Sequence, residues 1–296
     1  LQLALSLVPK MLAGNDRFTV GPATRIATGL SRDVPDELRP KYEAWLRQTF
    51  GPGAQQVGVA PKPNDTIDTE ATRSELITAA AWHGRDPKLV AEAVKLADKW
   101  RDLPQSVRGN VLVIAADASP AVFDRLLKDV TSETDRSKRS EMLRALASVR
   151  DPKRQQIALG LVLDPKLDPR ETLGMLFGGG GGRRGGGGGN LNPQSLAISQ
   201  QFFRAHEAEI KKAMPQDGTS GAFPFISALF TATCQADQRD AVVDYVKQAF
   251  GTLPGGKRIV TQNIEAMDQC IARRKVLDPE VRGWLGGVKA KPAAKK

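Results

Sequence analysis

The sequence predicts an all-α fold, an α–α superhelix of stacked helical hairpins of the HEAT or armadillo kind. Three observations carry this expectation. Apolar residues recur at helical spacing along most of the chain, helix-start signals punctuate it at near-even intervals, and aromatic residues make up only 5% of it while Ala and Leu are plentiful. At 296 residues with 41% hydrophobic content, the chain has room for one long helical array or two ordinary domains. No apolar run approaches the ~18 residues of a membrane span.

From the N-terminus, Leu3, Leu5, Leu7, Val8 and Met11 form an apolar helical pattern that begins at once, with no initiator Met and no charged leader. The chain therefore reads as one that starts in mid-protein. Residues 51–65 are rich in Gly and Pro and read as a long connection. Leu89, Ala93, Leu96, Ala97 and Trp100 then share one helical face, as do Met142, Leu143, Leu146 and Val149, and later Val242, Val243, Val246, Ala249 and Phe250. No sustained alternation of the strand type competes.

The helix starts share one chemistry. Asp-Pro occurs at Asp86, Asp151, Asp164, Asp168 and Asp278, with Ser119-Pro120 and Asn192-Pro193 as equivalents. The side-chain oxygen accepts from backbone N–H groups that lack partners in the first turn, and proline at the next position has no N–H to leave unpaired. Glu171, three residues after Asp168, resembles the second half of a capping box. The caps at 86, 119 and 151 are 33 and 32 residues apart, room for two helices and a turn in each interval. The domain is expected over residues 1–286, with a flexible Gly-rich loop at 178–189 (ten glycines around Arg183 and Arg184) and a basic disordered tail at 287–296.

Charge and cysteine use exclude several classes. Of the net charge of +10, half comes from Arg282, Lys289, Lys291, Lys295 and Lys296, so the body carries no strong signal for nucleic acid and the tail reads as a solubilising one. Cys234 and Cys270 are 36 residues apart, fit no CxxC motif, and sit beside apolar helical faces. They read as buried free thiols, which leaves the compartment open, with a soluble cytoplasmic setting favoured.

The motifs that could carry chemistry are incomplete. His206-Glu207 begins like a His-Glu-x-x-His zinc helix, but the second imidazole position is Ile210. Gly251 to Lys257 approaches a phosphate-binding loop, but Arg258 replaces the magnesium-binding hydroxyl, and the segment reads as a turn between helices. The glycine tract follows no strand, and no Gly-x-Ser-x-Gly elbow occurs. Trp82 and Trp100 read as core. Arg73, Arg108 and Arg170 sit early in helical segments and read as solvated surface residues, a buried pair or a ligand anion being the alternatives.

Several stretches, taken in order, resemble one known domain. They run from Ala93-Val-Lys-Leu96 to Trp100, through Leu103-Pro104 to Arg108 and Val111, then Phe123-Asp124, Arg144 to Asp151-Pro152, Leu196 to Phe203, and Arg258 to Glu265 and Trp284-Leu285. Together they resemble the C-terminal helical domain of zinc aminopeptidases of the puromycin-sensitive, alanyl and endoplasmic-reticulum kind. The resemblance implies a cap domain that closes the peptide-binding chamber and shapes substrate selection without being catalytic alone. Zinc is then expected in a separate upstream catalytic domain, with no cofactor in this chain. Its partners would be that domain and the peptide substrate, with no membrane span. Where the family carries an acidic residue and an aromatic, this sequence has Thr172 and the glycine tract. Arg170, Arg183 and Arg184 are the candidate contacts to a peptide carboxylate. The other reading of the residues is a HEAT-like scaffold that binds protein or nucleic acid.

Overall fold

The structure is a computed structural model that describes residues 1–14, 16–179, 192–213 and 223–288. Among the described residues every regular element is helical and no strand occurs. The all-α expectation therefore stands. Apart from Gly178, Gly179, Gly287 and Val288, the Gly-rich loop and the basic tail lie outside the described residues.

The chain divides into two compact units, one made of Leu1–Val122 with the segment from Lys275 onward, the other of Phe123–Arg274. In the first unit the Arg39–Val57 helix is the axis. Tyr42, Leu46, Phe50 and Ala54 recur every fourth residue and are all buried, so they form one continuous apolar stripe. The Tyr42 hydroxyl donates to the Ala27 carbonyl at 2.7 Å, which satisfies the only polar atom on that stripe and ties in the Arg17–Thr28 helix. Against this axis pack the Ile67–Ile77 helix and its continuation, a wide π-helical turn at Thr78–His83. The Pro87–Leu96 and Gln105–Ala118 helices form the next packed pair, and the latter buries every residue from Val111 to Ala116. Trp82 and Trp100 are both core residues, as expected.

The sequence reading of residues 51–65 as one long connection is corrected. Helix continues through Gly51-Pro52-Gly53 to Val57, and the connection begins at Gly58. At Gly51 a neighbour comes close, since a Cβ would lie 3.3 Å from the Asp86 carboxylate, whereas a Cβ at Gly53 would make an ordinary contact 3.7 Å from Leu76. Packing thus overrides three helix-weakening residues, Gly51, Pro52 and Gly53. The connection itself is fastened by Arg73, which is buried rather than solvated, contrary to expectation. Its guanidinium donates to the Gly58 carbonyl (3.2 Å) and the Val57 carbonyl (3.5 Å) at the helix end and pairs with Asp65. Arg108 is also buried.

The capping logic holds at Asp86, Asp151, Asp168 and Asn192, each of which accepts a backbone N–H of the following turn. It fails at Asp164-Pro165, where Asp164 accepts the Lys166 N–H but a turn and no helix follows. It fails also at Asp278-Pro279. That pair lies inside the continuous Gly256–Gly287 helix, where no helix starts. Ile271, Val281 and Leu285 are buried on either side of it, and their packing outweighs the one hydrogen bond that proline removes. The helix gives residues 256–274 to the second unit and residues 275–287 to the first.

In the second unit, Phe203, Phe230 and Phe250 come from three helices and meet with ring centroids 5.7–6.2 Å apart. Gln155 is buried. It joins the Pro152–Leu159 helix to Pro193–Ala205 by donating to the Ser195 carbonyl at 2.8 Å and the Ser199 hydroxyl at 3.2 Å. The free-thiol reading of the cysteines is overturned: Cys234 and Cys270 form a disulfide with their Cα atoms 5.5 Å apart. Their sequence spacing gave no hint because the Arg239–Phe250 helix folds back between them. Closing a loop of this length restricts the unfolded chain by about 4 kcal/mol in the chain-entropy view.

Candidate functional site

The candidate residue Arg170 lies on a short helix, Pro169–Thr172, that begins at the Asp168 cap. The Asp168 carboxylate accepts the Arg170 backbone N–H at 2.9 Å. The Arg170 side chain folds back onto the same carboxylate, with Nε 3.0 Å from both oxygens and Nη2 2.7 Å from Oδ2. Two neighbouring residues are thus locked as a chelated pair whose arginine remains 63% exposed at its side chain.

Glu171 pairs with different arginines. It does not close a capping box. Its nearly buried carboxylate receives Arg139 as a two-pronged partner, Nε at 2.7 Å and Nη2 at 3.1 Å, with the Arg136 guanidinium 3.0 Å away. Arg139 also donates to the Glu133 carbonyl at 2.6 Å. Arg136 and Arg139 are presented together because Asp135 caps the Arg136–Ala147 helix by accepting the Ser137 and Lys138 N–H groups. The result is a lattice of three guanidiniums and two carboxylates across two helix starts. It stands on a packed base, since Thr172, Met175 and Leu176 are all buried beneath it. The chain then leaves through the Leu173–Phe177 3₁₀ segment, and Gly178 takes a left-handed conformation at φ 67°. The lattice therefore stands on the stem of the glycine tract.

The electrostatics follow from the pairing. Arg139's hydrogen bond holds the Glu171 carboxyl below its ordinary range, and Arg170's does the same for Asp168. A carboxylate with a lowered folded-state pKa binds fewer protons folded than unfolded. Its stabilising effect is present above the ordinary carboxylate pKa and disappears as pH falls through the folded value. Thermal melts are therefore expected to lose stability on acidification below about pH 4.3, the ordinary Glu value. Glu171→Gln should flatten that dependence. A variant whose melting falls as steeply with pH as the parent's would show that this lattice plays no part.

Chemically, the site offers guanidinium edges to a carboxylate or another planar anion. It sets Arg170 on Asp168 and, at the next residue, Arg136 and Arg139 on Glu171, two arginines which the sequence reading did not single out. The signal was present in the basic run Arg136-Ser-Lys138-Arg139 behind a capping Asp, but the 32-residue separation of Arg139 from Glu171 hid the pairing. Arg183 and Arg184 lie outside the described residues. His206 ends the Pro193–Ala205 helix, its ring against Phe202 and its Nδ1 3.1 Å from Glu209. One turn further on stands Ile210, an apolar buried side chain, so this segment does not fit zinc. Among the described residues no group of three or more His, Cys, Asp or Glu is placed to hold a metal ion. Nor is any helix among them long and apolar enough to cross a membrane.

Over residues 1–269 the sequence matches the family described as the ERAP1-like C-terminal domain. The chain belongs to this family. No curated protein matches it. As an ERAP1-like C-terminal domain, the chain has the family's α–α superhelical fold class and is a domain of the aminopeptidase kind. Arg170 and its lattice lie within the matched stretch of this ERAP1-like domain. The end of its last helix, from Cys270 to Gly287, lies beyond it.

Proposed function

We propose that this ERAP1-like C-terminal domain is the cap of a peptide-cleaving zinc aminopeptidase. It closes the peptide-binding chamber and shapes which peptides enter, while bond cleavage belongs to a separate zinc-bearing catalytic domain. The family match over residues 1–269 is the observation that supports this reading. The peptide's terminal carboxylate is read by Arg170, with Arg183 and Arg184 on the glycine tract as its companions. Arg170 suits the task because its guanidinium is oriented by Asp168 and still reaches solvent.

The test has two arms. The reading frame that carries this domain should also encode a His-Glu-x-x-His motif, and the isolated domain should not hydrolyse aminoacyl-anilides when zinc is added. Chelator-sensitive turnover by the isolated domain would remove the cap assignment. In the enzyme that carries the domain, Arg170→Ala should raise KM about tenfold for peptides with a free C-terminal carboxylate, which corresponds to ~1.4 kcal/mol. Peptides with an amidated C-terminus should be unaffected. Equal losses on both peptide types would remove Arg170 from the site.

A further inference from the structure

The second unit holds a segment that its packing does not explain. From Ala232 to Ala241 no residue is buried, although Phe230 on one side and Val242 on the other are core. A ten-residue stretch without an apolar anchor would ordinarily fray. It is instead laid along the Gly256–Gly287 helix by polar and covalent links. The Asn263 amide donates to the Ser227 hydroxyl at 2.7 Å just before the stretch. Within it, the Arg239 guanidinium grips Asp268 at 2.5 and 2.7 Å, and Cys234 is bonded to Cys270. Arg239–Asp268 is partly exposed, and exposed ion pairs hold a backbone weakly. The covalent link is therefore the main fastening.

Two further observations bear on it. Cys234 is held at φ 50°, a left-handed conformation that residues with a Cβ seldom adopt. That geometry needs an outside constraint to persist. Neither cysteine is buried, so a small reductant can reach the bond.

We propose that Cys234–Cys270 is a redox clasp. Oxidised, it pins the 232–241 stretch, which takes in the first turn of the Arg239–Phe250 helix, to the long helix; reduced, it releases that stretch while residues 227–231 and 242–250 on either side stay helical. The reductant is a dithiol. One thiolate of the dithiol attacks a clasp sulfur, a mixed disulfide forms, and the other cysteine leaves as a thiolate. The second thiol of the reductant then displaces the first cysteine. The chain gains two thiols, the dithiol becomes a disulfide, and two electrons pass from reductant to protein. Bonds of this kind persist in oxidising surroundings, so the clasp is closed there and opens under cytosol-like reduction.

Hydrogen exchange by mass spectrometry on the whole chain tests this, with iodoacetamide labelling to count thiols. The oxidised protein should label at no cysteine, and dithiothreitol should expose two. Reduction should speed exchange in residues 232–241 at least tenfold and leave residues 242–250 and 87–118 unchanged. The Cys234→Ser/Cys270→Ser double variant should match the reduced protein, and so should Cys234→Gly/Cys270→Ser, in which glycine takes the left-handed conformation without strain. Unchanged exchange in 232–241 after reduction would overturn the clasp. So would collapse of the whole second unit in both the reduced protein and the variants, which would make the bond a global staple.

Discussion

A chain ended at Arg274 is expected to lose the folded core of its first unit. Val281 and Leu285, on the last turns of the Gly256–Gly287 helix, are fully buried. The Trp284 ring meets Trp45 edge-on with centroids 4.8 Å apart, and Arg282 pairs with Glu37 at 2.6 Å. Truncating a single buried Leu to Ala costs about 2–5 kcal/mol. Losing Val281, Trp284 and Leu285 together approaches the ~5–15 kcal/mol that holds an ordinary domain folded. The amides of the Tyr42–Ala54 stripe should then exchange with solvent within the dead time of the measurement, against slow exchange in the full chain. Equal protection in both would show that the helix end is dispensable. The prediction bears on where this domain stops, because the family match ends at residue 269 and the structural unit does not.

The second large effect is expected at Arg73. Replacing it with Met keeps most of the side-chain volume but removes every donor. The Gly58 carbonyl at the helix end then loses its partner in a buried setting, at about 1–3 kcal/mol, and the part-buried Val57 carbonyl loses a longer bond. Arg73→Lys should recover part of the loss, since an ammonium can reach one acceptor but cannot fork across several. Chemical denaturation at neutral pH reads this as a lower midpoint with an unchanged slope. A midpoint within experimental scatter of the parent's would mean that water replaces the guanidinium at no cost.

Local chemistry made much of the fold legible. Asp86, Asp151, Asp168 and Asn192 mark helix starts because capping involves only atoms within one turn. The same rule misled at Asp278-Pro279 and at Gly51-Pro52-Gly53, where burial of distant partners holds the helix together through residues that weaken it locally. The cysteine pairing and the Arg139–Glu171 pair were illegible for one reason: each joins positions more than thirty residues apart, and only the folded packing brings them into reach. Arg170 was visible as an early-helix arginine, but its capture by Asp168 depends on a side chain turning back toward its own cap.

The return of residues 275–287 to the first unit also sets an order of events during synthesis. Phe123–Arg274 is one unbroken stretch and can collapse as soon as it clears the ribosome. The first unit begins earlier yet must wait, because Glu37 and Trp45 meet partners at 282 and 284 that emerge only after the whole of the second unit. Until then its apolar stripe has no complete cover, and that interval is when a holdase chaperone would have something to grip.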